Sequence, residues 1–289
     1  MKNILSNTLL YPATLLCATL FACQSGTTEQ TANETSTVDS TTSYTFNTTP
    51  SWSDEFDQEG LPDTSKWSYD VGSKYDGWGN QELQYYTDAD PKNVQVKDGL
   101  LHITALAEQK EGKDYTSTRL VSKGKGDFLY GRFEVRAKVP KGRGTWPAVW
   151  MLPTEDKYGG WPESGEIDIL EHVGFDQDMV HISVHTKDYH HSIGTQKTAF
   201  KKIDDASGQF HTYRIDWTPA SIKGFVDNVE LFSFANEGTG SKAWPFDQKF
   251  HWLVNLAVGG FWGGEKGIDP KAFPATFVVD YVRVYDLKK

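Results

Sequence analysis

The sequence predicts an all-β fold, a two-sheet antiparallel β-sandwich of the jelly-roll type. From Trp52 onward, short runs of alternating or β-branched residues are separated by Gly, Pro, Asn and Asp, and no long stretch has helical periodicity. In 131–139, Phe133 and Val135 alternate with charged residues, as in a strand with one buried face. Similar strands are predicted at 100–106, 179–186, 211–217, 223–234, 251–257 and 277–285. These are too many for one open sheet, so two stacked sheets are expected.

The first 48 residues are predicted to lie outside this domain. Residues 1–22 have the form of a lipoprotein signal peptide, with an apolar run too short for a membrane span and a small residue just before Cys23. Cys23 is therefore expected to be lipidated, although a soluble secreted protein cut nearby would carry a similar leader. The polar stretch 23–48 is predicted to be a disordered tether. We expect an exported bacterial lipoprotein on the outer membrane, facing the cell surface or the periplasm, with one domain at 49–289.

Composition narrows the classes of partner. A net charge of −10 without a Lys/Arg cluster argues against nucleic acid, which is bound through basic patches. Both cysteines precede residue 24, so the domain is expected to have neither a disulfide nor a thiolate metal site. Thirteen per cent of residues are aromatic, ten of them Trp. We assign about half of these Trp to the core and expect the others to stack on a flat ligand, for which sugars are one candidate. A monomer is expected.

Three carboxylates fall within six positions of an otherwise apolar strand in the segment WPESGEIDILEHVG at 161–174. In a regular strand Glu166 and Asp168 share a face and Glu171 points the other way. A β-bulge near Ile169 or Leu170 would return Glu171 to the face of Glu166, with the two glutamates roughly 13 Å apart at Cα. Such a group must hold a proton with a raised pKa, as a general acid does. A solvated acidic face or a cation site remains an alternative.

Glu166-Ile167-Asp168-Ile169-Leu170-Glu171 resembles the Glu-x-Asp-x-x-Glu signature of glycoside hydrolase family 16. Flanking segments resemble its laminarinase (endo-1,3-β-glucanase) branch: SDEF, GNQELQYYT, GRFEVRAKVPKGRGTWPAVWMLP, VHISVHT, HHSIGTQK, NLAVGGFWGG and VDYVRVY. The resemblance implies a concanavalin A-like sandwich whose concave sheet forms the substrate cleft. It also implies that Glu166 is the nucleophile, Glu171 the acid/base, and Asp168 the residue that orients the nucleophile and tunes the proton balance.

The same resemblance and the strand parity indicate a set of residues that bind the substrate. They are Trp146, Trp150, Trp161, His185, Asn80, Glu82, Arg143 and Trp262. Packing in the core is an alternative for Trp150 and Trp161, and a metal site is a weaker alternative for the histidines. In that loop Gln81 departs from the Asn that is usual in the family. The resemblance further implies a structural calcium ion held by Glu55, the Gly99 backbone and Asp280, and no cofactor for catalysis.

The expected reaction is endohydrolysis of 1,3-β-glucosidic bonds in laminarin-type β-glucan, with retention through a covalent glycosyl-enzyme. Enzymes of the same fold that act on mixed-linkage β-glucan, agarose, porphyran or carrageenan are alternatives, as is a transglycosylase. Sulfated substrates need nearby Arg or Lys, and Arg143 is the one basic residue that we expect close to the motif. A noncatalytic sugar-binding module is the alternative from another class.

Overall fold

The computed structural model describes residues 43–288, and they form the predicted two-sheet sandwich. Strands are numbered in chain order. Sheet I contains β1 (Trp52–Asp54), β4 (Val94–Lys97), β5 (Leu100–Ala105), β9 (Gly131–Lys138), β14 (His211–Trp217), β15 (Ser221–Val226), β16 (Val229–Ala235) and β18 (Ala275–Tyr285). Sheet II contains β2 (Ser68–Tyr69), β7 (Arg119–Val121), β8 (Asp127–Phe128), β10 (Thr145–Pro153), β11 (Glu166–His172), β12 (Met179–His185), β13 (Lys197–Lys202) and β17 (Phe250–Val258).

Both large sheets are antiparallel throughout their described pairs. Sheet I has the order β16-β15-β14-β9-β18-β5-β4, with β1 beside β18, and sheet II has the order β13-β12-β11-β10-β17-β7-β2, with β8 beside β17. A small parallel pair, β3 (Gln84–Tyr86) and β6 (Tyr115–Ser117), lies apart from them. Short helical turns occur at Gly77–Gln81, His191–Ile193 and Pro270–Ala272. Within 43–288, no helix combines the length and apolar character that crossing a membrane requires.

The core lies between the two sheets because each strand turns alternate residues inward. In β9 the buried positions include Phe133, Val135 and Ala137, and in β11 Ile167 and Ile169 are fully buried. Four tryptophans, Trp67, Trp217, Trp244 and Trp252, are buried in the core, and Trp52 packs against it. Half of the ten Trp are therefore core residues, as the composition led us to expect.

Two details differ from the sequence prediction. The strand predicted at 223–234 is a hairpin, because Asp227 and Asn228 both have positive φ, as a two-residue turn requires. The folded part also begins before residue 49, since Phe46 pairs with Leu287 and the Lys288 N–H donates to the Thr45 carbonyl at 2.8 Å. The rest of the predicted tether and the signal segment lie outside the described residues.

Candidate active site

The predicted β-bulge is present in β11 and sets the direction of the three carboxylates. Trp150 and Val149 of β10 lie opposite Asp168 and Leu170, so two steps along β11 match one along β10. On the other side, the register with β12 shifts between Asp168 and Glu171. The extra residue places all three acids on the solvent face of sheet II, opposite the buried Ile167.

A glycine, Gly165, directly precedes β11. Gly165 has φ of +88°, and a Cβ there would lie 2.8 Å from the Pro245 ring, so a larger residue would be strained and crowded. This turn delivers Glu166 at the first position of β11, where it lies opposite His185 of β12. The register therefore places His185, one of the predicted substrate-binding residues, beside the carboxylates. Its Nε2 is 3.4 Å from Asp168 Oδ2.

Each glutamate accepts a hydrogen bond from a tryptophan. Trp161 Nε1 donates to Glu166 Oε2 at 2.7 Å, and Trp146 Nε1 donates to Glu171 Oε1 at 3.2 Å. Trp161 is 43% exposed, so it is a wall of the site and not a core residue. The two indoles fix the carboxyl groups at opposite ends of β11 while leaving ring surface free for a ligand.

The carboxyl groups repel one another in a poorly solvated place. Burial, and then the charge of Asp168, raise the pKa of Glu166, while burial and the charge of Glu171 raise the pKa of Asp168 well above its usual range. Burial also raises the pKa of Glu171, with the charge of Glu166 adding to the effect. Asp168 is only 1% exposed and lies within hydrogen-bonding reach of Glu166, so it has the strongest reason to hold a proton. Protonation of Asp168 removes its repulsion on Glu166 and so favours the ionised form of Glu166.

A second polar network lies beside the carboxylates and contains Asn80, Glu82 and Trp150 from the predicted set. Glu82 is 5% exposed and accepts hydrogen bonds from Asn80, Gln84 and Tyr86. Burial raises the pKa of Glu82, and these donors and the positive charge of Arg119 oppose that change. The network continues from the Tyr86 hydroxyl to Asn255, whose Oδ1 accepts from Trp150 Nε1 at 2.7 Å.

Sequence reasoning missed Arg119 and Asn255. The Arg119 guanidinium lies 4.7 Å from the ring centroid of Trp78 and 4.8 Å from that of Trp150, so it is held between two indoles. Asn255 is the one amide in the nine-residue strand FHWLVNLAV, which is otherwise largely apolar. A single amide in such a run was the available signal. Trp150 is half-buried, and its bond to Asn255 places it on the site face, as predicted.

The remaining predicted residues separate into two groups. The Trp262 ring contacts Trp146 at 5.5 Å and belongs to the site, whereas the exposed Arg143 donates to the Lys266 carbonyl, and its described bonds do not reach the carboxylates. Among the predicted calcium ligands, Glu55 is bound by Arg283 and Asp280 by Arg136.

Gly99 lies in the turn between β4 and β5. Oxygen ligands of this kind suit calcium, but both carboxylates already have a guanidinium partner. The side chains as arranged therefore do not fit a bound cation, and the calcium ion stays a prediction.

Two glutamates on one face of a β-sandwich, with a third acid between them and indoles on both sides, are the arrangement of a glycoside hydrolase. The family model "Glycosyl hydrolases family 16" matches residues 81–283. The chain belongs to glycoside hydrolase family 16.

Individual relatives agree with the family. A protein named beta-glucanase from Rhodothermus marinus is 57% identical over 241 residues, which cover 81% of this chain and 84% of the relative. A glucan endo-1,3-beta-glucosidase from Cryptopygus antarcticus is 38% identical, with 80% and 90% covered. The solved laminarinase of R. marinus superposes with a TM-score of 0.82 at 53% identity, covering 85% of this chain and 99% of that one. The predicted family and sandwich fold are confirmed.

Proposed function

We propose that this enzyme is an endo-acting 1,3-β-glucanase that cleaves laminarin-type β-glucan with retention of configuration. The observation that carries the proposal is the bulge of β11, which brings Glu166, Asp168 and Glu171 to one face between indole donors. The relatives named beta-glucanase, laminarinase and glucan endo-1,3-beta-glucosidase support the choice of glucan.

In the first step the ionised Glu166 attacks the anomeric carbon while Glu171 donates its proton to the leaving glycosidic oxygen. The bond from carbon to that oxygen breaks and an ester to Glu166 forms. Asp168 lies beside Glu166 and supports this step when it holds a proton, because its repulsion on the ionised Glu166 is then removed. In the second step Glu171 takes a proton from water, whose oxygen displaces Glu166.

The network beside the carboxylates suits the part of the glucan that stays on the nucleophile. Trp150, Trp78 and Arg119 form a stack in which the guanidinium lies between the two rings. A pocket of about 290 Å³ adjoins this stack and is lined by Asp70, Arg119, Leu253 and Trp161 among others. Half-exposed ring faces next to buried amide and carboxyl groups match a sugar, which has apolar ring faces and hydroxyls at its edge.

A comparison of polysaccharides tests the substrate class. We expect new reducing ends from laminarin at the highest rate, a lower rate on mixed-linkage lichenan, and none on agarose or keratan sulfate. Keratan sulfate is included because a keratan-sulfate endo-1,4-beta-galactosidase from Sphingobacterium multivorum is 36% identical to this chain. Release of galactose-containing fragments without attack on laminarin would contradict the proposal.

We also propose that the enzyme is exported and held on the outer membrane through a lipid on Cys23. The support is the apolar leader and the small residue before Cys23, followed by a polar stretch that reaches the folded domain. In the producing cell, Cys23→Ser should move the activity from the membrane fraction to the soluble fraction. An unchanged distribution would mean that no lipid anchor exists at this residue.

A further inference from the structure

An aromatic row leads from the acid/base glutamate to the edge of sheet II. Ala148, Glu171, His181 and Phe200 lie opposite one another on the four neighbouring strands β10 to β13, so their side chains share the solvent face. The His181 ring lies 5.5 Å from Phe200 and 4.8 Å from Trp262. Trp262 in turn contacts Trp146, which donates to Glu171.

Phe200 is unusual in this row because it is 61% exposed on the edge strand β13. Thr198 and Lys202, its neighbours on the same face of β13, are polar, as expected for an exposed sheet edge. Isolated exposed apolar residues are common and need no explanation. Phe200, however, is continuous with rings that reach the reacting groups, and burial lowers the pKa of His181, which keeps that ring neutral at neutral pH.

We infer that Phe200, with His181 and Trp262, forms a stacking subsite for the leaving-group part of the glucan. The inference rests on the proposed function and deepens it. Glu171 protonates the leaving oxygen, so the departing sugars begin at Glu171. Two strand spacings of about 4.8 Å separate Glu171 from Phe200, roughly 10 Å measured across the strands. Rings along this path offer faces on which sugar rings stack.

The same subsite would hold an incoming sugar after the first step. When a sugar hydroxyl replaces water, its oxygen forms the new glycosidic bond, the ester bond to Glu166 breaks, and the hydroxyl proton goes to Glu171. Phe200 touches none of these atoms. It is a positioning residue that determines how long a leaving group or acceptor the enzyme holds.

Substrates with and without a leaving sugar separate this role from a general defect. Laminarihexaose has sugars on the leaving side, whereas β-laminaribiosyl fluoride leaves only fluoride. We expect Phe200→Ala to lower kcat/KM on laminarihexaose about three- to tenfold and to leave kcat/KM on the fluoride unchanged. Phe200→Trp should retain the wild-type values, and Lys201→Ala, on the opposite face of β13, serves as the matched control.

A second measurement uses the fluoride with laminaribiose as acceptor. Phe200→Ala should raise the acceptor concentration that gives half-maximal transfer by a similar factor. Equal losses on both substrates, no loss on either, or a change of oligomeric state on gel filtration in place of a kinetic change would overturn the inference. If the wild-type enzyme cleaves laminarihexaose and Phe200→Ala behaves like wild type, only this inference fails. If the wild-type enzyme leaves laminarihexaose intact, the proposed function fails as well.

Discussion

Carboxylates on the outer faces of the two sheets have opposite environments. On sheet I, Asp216 is bound by Arg132 at 2.8 and 2.9 Å, and Glu55, just after β1, is bound by Arg283 of β18. The Arg283 hydrogen bonds hold the pKa of Glu55 below its usual value. On sheet II, Glu166 and Glu171 have no arginine among their described bonds and accept from indoles. Arginines thus stabilise the ionised carboxylates of sheet I, whereas the carboxyl groups on sheet II have raised pKa values and can hold and transfer protons.

The largest effect on activity is expected when Glu166, the proposed nucleophile, is replaced. Glu166→Ser should lower kcat on laminarin by at least about 10⁴-fold, because it removes the nucleophile, while laminarin binding remains measurable by calorimetry. Glu163→Ser is the control, since Glu163 lies three residues earlier and only pairs with Lys187 on the surface. Near-normal hydrolysis by Glu166→Ser would remove the role assigned to this residue.

Glu171→Ala should lower kcat/KM on laminarin by about 10²- to 10⁴-fold, the range for loss of a general acid. On β-laminaribiosyl fluoride the loss in the first step should be small, because fluoride leaves without a proton. The alkaline limb of the wild-type pH profile, which reflects the raised pKa of Glu171, should also be absent with the fluoride. Added azide should restore turnover and yield a β-glycosyl azide. A profile that keeps its alkaline limb in Glu171→Ala would assign the proton to another group.

Asn255→Ala tests the polar network beside the acids. The change leaves the Trp150 indole without its described acceptor and removes the donor to the Tyr86 hydroxyl, so the free energy of unfolding should fall by about 1–3 kcal/mol in urea titrations. Because this network serves the retained part of the glucan, kcat/KM should fall on both laminarihexaose and the fluoride. A loss on laminarihexaose alone would place the network on the leaving-group side.

The smallest expected effect is on the pH dependence of the free energy of unfolding, to which Asp168 of sheet II and Glu55 beside sheet I should contribute with opposite sign. Asp168 has a raised pKa in the folded state, so the folded protein binds more protons, and the stability is lost as the pH rises from about 4 through the raised folded value. Glu55 has a lowered pKa, so its contribution is present above about pH 4.3 and lost as the pH falls through the folded value.

Thermal unfolding at pH 8 should therefore show Asp168→Asn more stable than wild type. Glu55→Gln should be less stable there by about 1 kcal/mol or less, since the Glu55 pair is partly exposed. Shifts of the same sign in both variants would mean that the two carboxylates do not differ as described.

The sequence predicted those parts of the molecule that depend on residue count and alternation. The direction of Glu171 follows from one extra residue in β11, and the strands at 131–139 and 211–217 follow from period-two patterns. The turn at Asp227 was missed because the flanking residues alternate across it. Arg119 and its two indoles come from separate segments, so only the folded chain shows their contact.

In a chain shortened to begin near Thr45, the pairing of Thr45 with Lys288 would bring the two ends within one hydrogen bond of each other. A few added residues would join them into a closed ring without altering any strand. New ends could then be opened at the exposed turn around Glu111 and Gly112, where Lys110 and Lys113 exchange two backbone hydrogen bonds. A circularly permuted enzyme of this kind would keep the β10 to β13 order that its chemistry requires.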